Sequence, residues 1–171
     1  KTDAQLYINE FMASNLNTIA DPDAGEYSDW IELYNAYNYE IDLSGYYLTD
    51  NIENPDKWKF PQGTSITPES YLLVWADGLD TVLNALHTNF KLKSTGEQIA
   101  VFSDQLILED SISFLSQVAD ISLGRFPNGF QEFNYFVNPT PGNSNYASGY
   151  TDFSPQTEFS LKGGFYPDQI I

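Results

Sequence analysis

Residues 29–50 read DWIELYNAYNYEIDLSGYYLTD, two short apolar-aromatic runs at 30–34 and 46–48 joined by a polar connector. Side chains alternate along 30–34, because successive Cβ atoms of a strand point to opposite faces. Trp30, Glu32 and Tyr34 therefore share one face, and Ile31 and Leu33 the other. Ile41 and Leu43 are the apolar positions of the connector, and Gly45 turns the chain into the second run. The expected core residues are Ile31, Leu33 and Leu43. Strand-favouring aromatics bounded by polar turns make this stretch the nucleus of an all-β domain.

The flanks extend the pattern. Upstream, LYINEFM (6–12) reads as a strand with Leu6, Ile8 and Met12 on one face, interrupted by Glu10, and Tyr7 and Phe11 on the other. A polar loop follows at 14–28. Downstream, WKFP (58–61) is a short strand and YLLVWA (71–76), the most continuous apolar run, is the expected central strand. Val82, Leu83 and Leu86 match a helical period, which predicts one helical turn over 80–86. Phe90 and Leu92 alternate ahead of the Ser94-Thr95-Gly96 turn, which predicts a hairpin with 98–102. Further short strands are expected at 106–108 and 112–114, with sheet edges at 122–126 and 133–136. PTPGNSN (139–145) cannot continue a ladder. About nine short strands with turns roughly every 8–12 residues predict an antiparallel β-sandwich.

Composition narrows the partners. Seven basic against 24 acidic side chains leave a net charge of −17, which repels phosphate backbones and argues against nucleic acid. There is no cysteine, so a disulfide frame, a thiolate zinc site and a cysteine nucleophile are excluded. No apolar run approaches the roughly 20 residues of a membrane-spanning helix, so membrane insertion is not expected. No stretch has the form of a signal peptide. The ends at Lys1 and Ile171 read as cut points in a longer polypeptide.

Four groups of residues invite a chemical reading. His87, the one histidine, lacks a G-x-S-x-G nucleophile elbow elsewhere in the chain and reads as a surface or capping residue. Glu10 and Glu32 lie inside apolar strands. As a pair they would suit glycoside hydrolysis; the plainer reading is that they anchor loops by accepting backbone N–H groups. Asp21, Asp23, Glu26 and Asp29 cluster in one loop, and calcium takes oxygens converging from such loops. Gly25 comes one place early for an EF-hand, and a solvated acidic turn is the competing reading. Trp30, Tyr34, Tyr37, Tyr39, Tyr46 and Tyr47 would form a sugar-stacking platform if exposed, and core or cross-strand pairs if not.

Taken in order, INEFMASN (8–15), DWIELYN (29–35), IDLSGYYLTD (41–50), KWKFPQGTSI (57–66), YLLVWADG (71–78), HTNFKLKSTGEQIAVF (87–102), SLGRFPNG (122–129) and NPTPGNSN (138–145) resemble the lamin tail domain family. The resemblance covers about 5–145 and is nearest to bacterial, secreted members. It implies an immunoglobulin-like sandwich over 1–146, no catalytic residues, and an extracellular or cell-envelope setting as an accessory module of a larger protein. A protein or polysaccharide partner at the cell surface is expected. A calcium-stabilised carbohydrate-binding module and a regulatory appendage to an adjoining hydrolase or kinase-like domain are the alternatives. Residues 147–171 form a linker, and FSPQTEFSLKGGFYPDQII (153–171) resembles the opening of a second, chitobiase-tail-like sandwich.

Overall fold

The computed structural model describes residues 5–146 and 149–152. The expected start of a second domain, at 153–171, lies outside the described residues. Twelve strands run in chain order: β1 (Leu6–Met12), β2 (Trp30–Asn35), β3 (Ile41–Asp42), β4 (Tyr47–Thr49), β5 (Trp58–Lys59), β6 (Ser65–Ile66), β7 (Tyr71–Trp75), β8 (Leu86–His87), β9 (Gly96–Phe102), β10 (Leu108–Leu115), β11 (Ser122–Arg125) and β12 (Phe133–Phe136). A six-stranded sheet, β12-β11-β1-β2-β7-β8, faces a four-stranded one, β10-β9-β4-β5, and β3-β6 form a small ribbon. This is an all-β, immunoglobulin-like sandwich, antiparallel except where β7 and β8 run parallel.

The core lies between the two large sheets. Ile8, Phe11, Ile31, Leu33 and Val74 pack with Leu48, Trp58, Ile99, Val101 and Phe114 in one buried cluster that also takes in Leu43. The Phe11 and Phe114 rings meet across the sandwich with centroids 4.7 Å apart. Ile31, Leu33 and Leu43 are wholly buried, as their spacing predicts. Each such side chain stabilises the fold by roughly 1.5–3 kcal/mol relative to exposure.

Strict alternation fails in β1. Ile8 pairs with Leu33 but Glu10 pairs with Glu32, so Asn9 is an extra residue in a bulge. The bulge reverses the facing of everything after it. Phe11 joins Ile8 in the core, whereas Met12 moves to the outer face, where it forms a second buried cluster with Trp30 and Trp75.

Four other expectations give way to tertiary pairing. No helix forms among the described residues; at 80–86 the amides of Asn84 and Ala85 are taken by the Asp23 carboxylate instead of carbonyls one turn back. A single turn has too little hydrogen bonding to offset its nucleation cost. The hairpin partner of β9 is β10, with β4 on its other edge, so 90–92 has no ladder position beside it. The two strands expected at 106–108 and 112–114 are one, β10, with a register shift between Leu108 and Asp110. Finally, β11 is interior, held between β1 and β12, so of the two expected edges β12 alone lies at an end of the sheet.

Candidate functional site

The loop between β2 and β3 carries a stacked pair of tyrosines. Asn35, wholly buried at the end of β2, builds it: its Nδ2 donates to the carbonyls of Tyr39 (2.8 Å), Ile66 (2.9 Å) and Thr67 (3.1 Å), and its Oδ1 accepts the Tyr37 amide. The loop so fixed stacks the Tyr37 and Tyr39 rings at 4.4 Å, with Tyr39 55 % exposed. Tyr37, Tyr39 and Tyr46 line a cleft of about 260 Å³ together with Glu40, Asp42 and Glu109. Burial raises the pKa of the Tyr37 and Tyr46 hydroxyls, so both remain neutral donors. Burial likewise raises Glu109, whereas the Ser44 hydrogen bonds lower Asp42.

The six-aromatic platform expected from sequence does not assemble. Trp30 is wholly buried in the cluster with Met12 and Trp75 and offers no face to a ligand. Tyr34 stacks on Tyr71 at 5.0 Å on the six-stranded sheet. Tyr47 lies on the four-stranded sheet, where the Lys59 ammonium sits 5.5 Å from its ring. Of the six aromatics, Tyr37, Tyr39 and Tyr46 reach the cleft, and Trp30, Tyr34 and Tyr47 do not. Alternation marks strand faces; it carries no information on which loops a buried asparagine will gather.

The acidic loop is divided in a similar way. Asp23 turns inward, where it accepts Asn84 N (3.1 Å), Ala85 N (3.0 Å) and the His87 ring at Nε2 (3.0 Å). Those donors saturate it and remove it from the expected calcium set. Asp21, Glu26 and Asp29 instead line a cleft of about 420 Å³ with Asp77 and Lys91. Burial pushes the Asp29 carboxyl up to about 6, against the Asn15 amide that it accepts.

His87 is not the surface residue the sequence suggests. It is wholly buried, with Nδ1 2.7 Å from Asp77 Oδ2 and Nε2 facing Asp23. The parallel β7–β8 pairing, in which Trp75 lies opposite His87, brings these groups together. Burial works against the charged ring, but the bonds to Asp23 and Asp77 outweigh it and raise its pKa. The His87 bond in turn holds Asp23 down at about 2. Nothing in a pattern of single residues marks a pairing between strands of such different length.

Glu10 and Glu32 are neighbours across β1 and β2, and both are wholly buried. Glu10 accepts the Ser122 hydroxyl and both the amide (3.1 Å) and hydroxyl (2.9 Å) of Thr140. Glu32 accepts Asn9 Nδ2 (3.0 Å) and the Gly142 amide (2.6 Å), and burial pushes its pKa up to about 8. Both side chains tie the 139–145 segment onto the sheet, and neither meets an open cleft where a glycoside would bind.

An apolar groove of about 470 Å³ flanks β7 and β8. Ile19, Leu73 and Trp75 form its floor, and Val82 and Leu83 stand 55 % and 71 % exposed beside it.

Compared with known families, the chain matches the Lamin Tail Domain over residues 1–118, more than half its length. No curated protein matches it.

Proposed function

The chain belongs to the lamin tail domain family of non-catalytic, immunoglobulin-like modules, and from that premise we propose that it serves as a glycan-binding attachment module of a larger extracellular or cell-envelope protein. The observation that carries this reading is the cleft where Tyr37, Tyr39 and Tyr46 stand among Glu40, Asp42 and Glu109. A sugar ring presents an apolar C–H face and an equatorial fringe of hydroxyls. The exposed Tyr39 ring suits the first, and the three carboxylates accept hydrogen bonds from the second. Few groups need to move on binding, because Asn35 holds the loop in place beforehand. The net charge of −17 favours neutral over anionic glycans and disfavours nucleic acid.

Calorimetry against a panel of neutral oligosaccharides tests the reading. Binding by the intact chain that Tyr39→Ala abolishes supports it. Binding that survives Tyr39→Ala, or none across the panel, overturns it. A protein partner docking on the apolar groove is the second reading, favoured by the exposure of Val82 and Leu83.

A further inference from the structure

Among the described residues, one group of three potential metal ligands converges: Asp21, Asp77 and His87 each offer a donor atom, all within 4.8 Å of one another. The group shares only Asp21 with the acids of the 21–29 loop, and its other two members are Asp77, which follows β7, and His87 on β8. We propose that it binds a divalent first-row transition ion of the zinc class.

The independent observation is Asp21. The residue is 1 % exposed; its Oδ1 accepts the amides of Asp23 and Ala24, yet its buried Oδ2 has no hydrogen-bond partner. Leaving a buried carboxylate oxygen unpaired costs several kcal/mol in general, so a missing ligand is its simplest account. Asp21 and Asp77 both line the 420 Å³ cleft, which supplies a route for an ion and for the water that completes its shell.

His87 is arranged as metal-bound histidines are. Such rings donate their second N–H to a carboxylate that fixes tautomer and orientation. Here Asp23 accepts from Nε2 at 3.0 Å, leaving Nδ1 pointed at Asp77 Oδ2, 2.7 Å away. An ion enters by displacing the Nδ1 proton to solvent, while Nε2–H stays on Asp23. In a tetrahedral shell, ligand bonds of about 2.0–2.1 Å place donor atoms about 3.4 Å apart, so the group, whose donors lie within 4.8 Å of one another with Nδ1 and Asp77 Oδ2 2.7 Å apart, reaches that spacing by side-chain shifts of about an ångström. Charge runs the same way: Asp21, Asp23 and Asp77 face a single imidazolium, and replacing one proton by a dication removes part of that excess. The imidazole nitrogen selects a borderline ion over calcium, which takes oxygen. An imidazolium alone would account for Asp23 and Asp77 but leaves Asp21 Oδ2 without a partner.

The test uses the intact chain, stripped with chelator and titrated with Zn²⁺ and, separately, Ca²⁺. The expected result is one saturable Zn²⁺ equivalent, a rise in melting temperature, and a shift of the His87 Nδ1 resonance in ¹⁵N spectra, unambiguous because the chain has one histidine. Asp21→Asn keeps the Oδ1 acceptor and is expected to weaken Zn²⁺ at least about tenfold; Glu53→Gln, at an exposed residue away from the cleft, is expected to leave it unchanged. Absence of saturable Zn²⁺ binding, an unmoved His87 resonance, undiminished affinity in Asp21→Asn, or tighter binding of Ca²⁺ than Zn²⁺ would each overturn the assignment. The spectra of the unsubstituted chain decide the matter even if the variant fails to fold.

Discussion

Arg125 on β11 reaches Asp110 on β10 with one guanidinium nitrogen, 3.0 and 2.8 Å from the two carboxylate oxygens, and so joins the two sheets of the sandwich. The same carboxylate accepts the Ile8 amide at 2.8 Å, and Arg125 Nε donates to the Ile8 carbonyl at 2.9 Å. The guanidinium also lies 4.5 Å from the Phe133 ring centroid and 5.2 Å from that of Tyr7. Three strands and two aromatic faces thus depend on one side chain.

Arg125→Ala is therefore expected to destabilise the fold by about 3–5 kcal/mol, since it strands the Asp110 charge in a largely buried place. Arg125→Lys should recover only part of that loss, because an ammonium lacks the planar group that bonds Asp110, Ile8 and Phe130 together. Urea denaturation of Arg125→Ala, Asp110→Asn and the double variant measures the coupling. Single and double losses that simply add would show that the two residues act independently.

Much of this architecture is legible in the chain. The alternation of Ile31 and Leu33, the apolar run at 71–75 and the turn at Gly45, whose φ of 86° suits glycine, all follow from local chemistry. What escapes is non-local. Asn9 becomes a bulge only because Glu10 must meet Glu32, and that single insertion exchanges Phe11 and Met12 between faces. His87 becomes buried only because a two-residue strand pairs in parallel with β7. The Tyr37–Tyr39 pair depends on Asn35, a residue whose type suggests a turn and whose position is a strand end.

The Glu32 carboxyl makes stability depend on pH. Its pKa rises from the ordinary 4.5 to about 8 on folding, chiefly through burial. A group held above its unfolded value stabilises fully below about pH 4.5, and that contribution is lost as pH rises through about 8. Glu10, raised for the same reason, adds in the same direction. The expected outcome is a loss on the order of several kcal/mol between pH 5 and 9, read from urea midpoints. Glu32→Gln lowers stability at every pH, because its amide faces the donors of Asn9 or Gly142, but it flattens the slope. An equally steep slope in Glu32→Gln would place the titration elsewhere.

Residues beyond the family match hold the sheet together. β11 pairs with β1, and Ser122 and Thr140 supply the partners of Glu10. A chain ending at 118 leaves β1 with a bare edge and Glu10 without these donors, so it is expected to be unfolded or aggregated, whereas 1–146 is expected to fold cooperatively. Gly124→Ala is the gentler version: an added Cβ would lie 2.8 Å from Asn145 Nδ2 and 3.0 Å from Glu10 Cγ. We expect a cost of about 1–3 kcal/mol and faster amide exchange across 140–145. Wild-type exchange rates in that segment would exclude the packing role.

Asn35 links the fold to the tyrosine cleft. Asn35→Ala leaves the carbonyls of Ile66 and Tyr39 without their donor and frees the Tyr37 amide, at an expected cost of about 1–3 kcal/mol. The sheets keep their core, because Asn35 lies at the end of β2 and no apolar packing is lost. The 36–40 loop, by contrast, loses its template, so the Tyr37–Tyr39 stack should loosen and any glycan bound there should dissociate faster. Tyr39→Ala serves as the control, since it removes the ring and leaves Asn35's bonds to the backbone intact. Asn35→Ala should thus lower both melting temperature and glycan affinity, and Tyr39→Ala affinity alone. Equal melting losses in the two variants would mean that the tyrosines hold the loop and Asn35 does not.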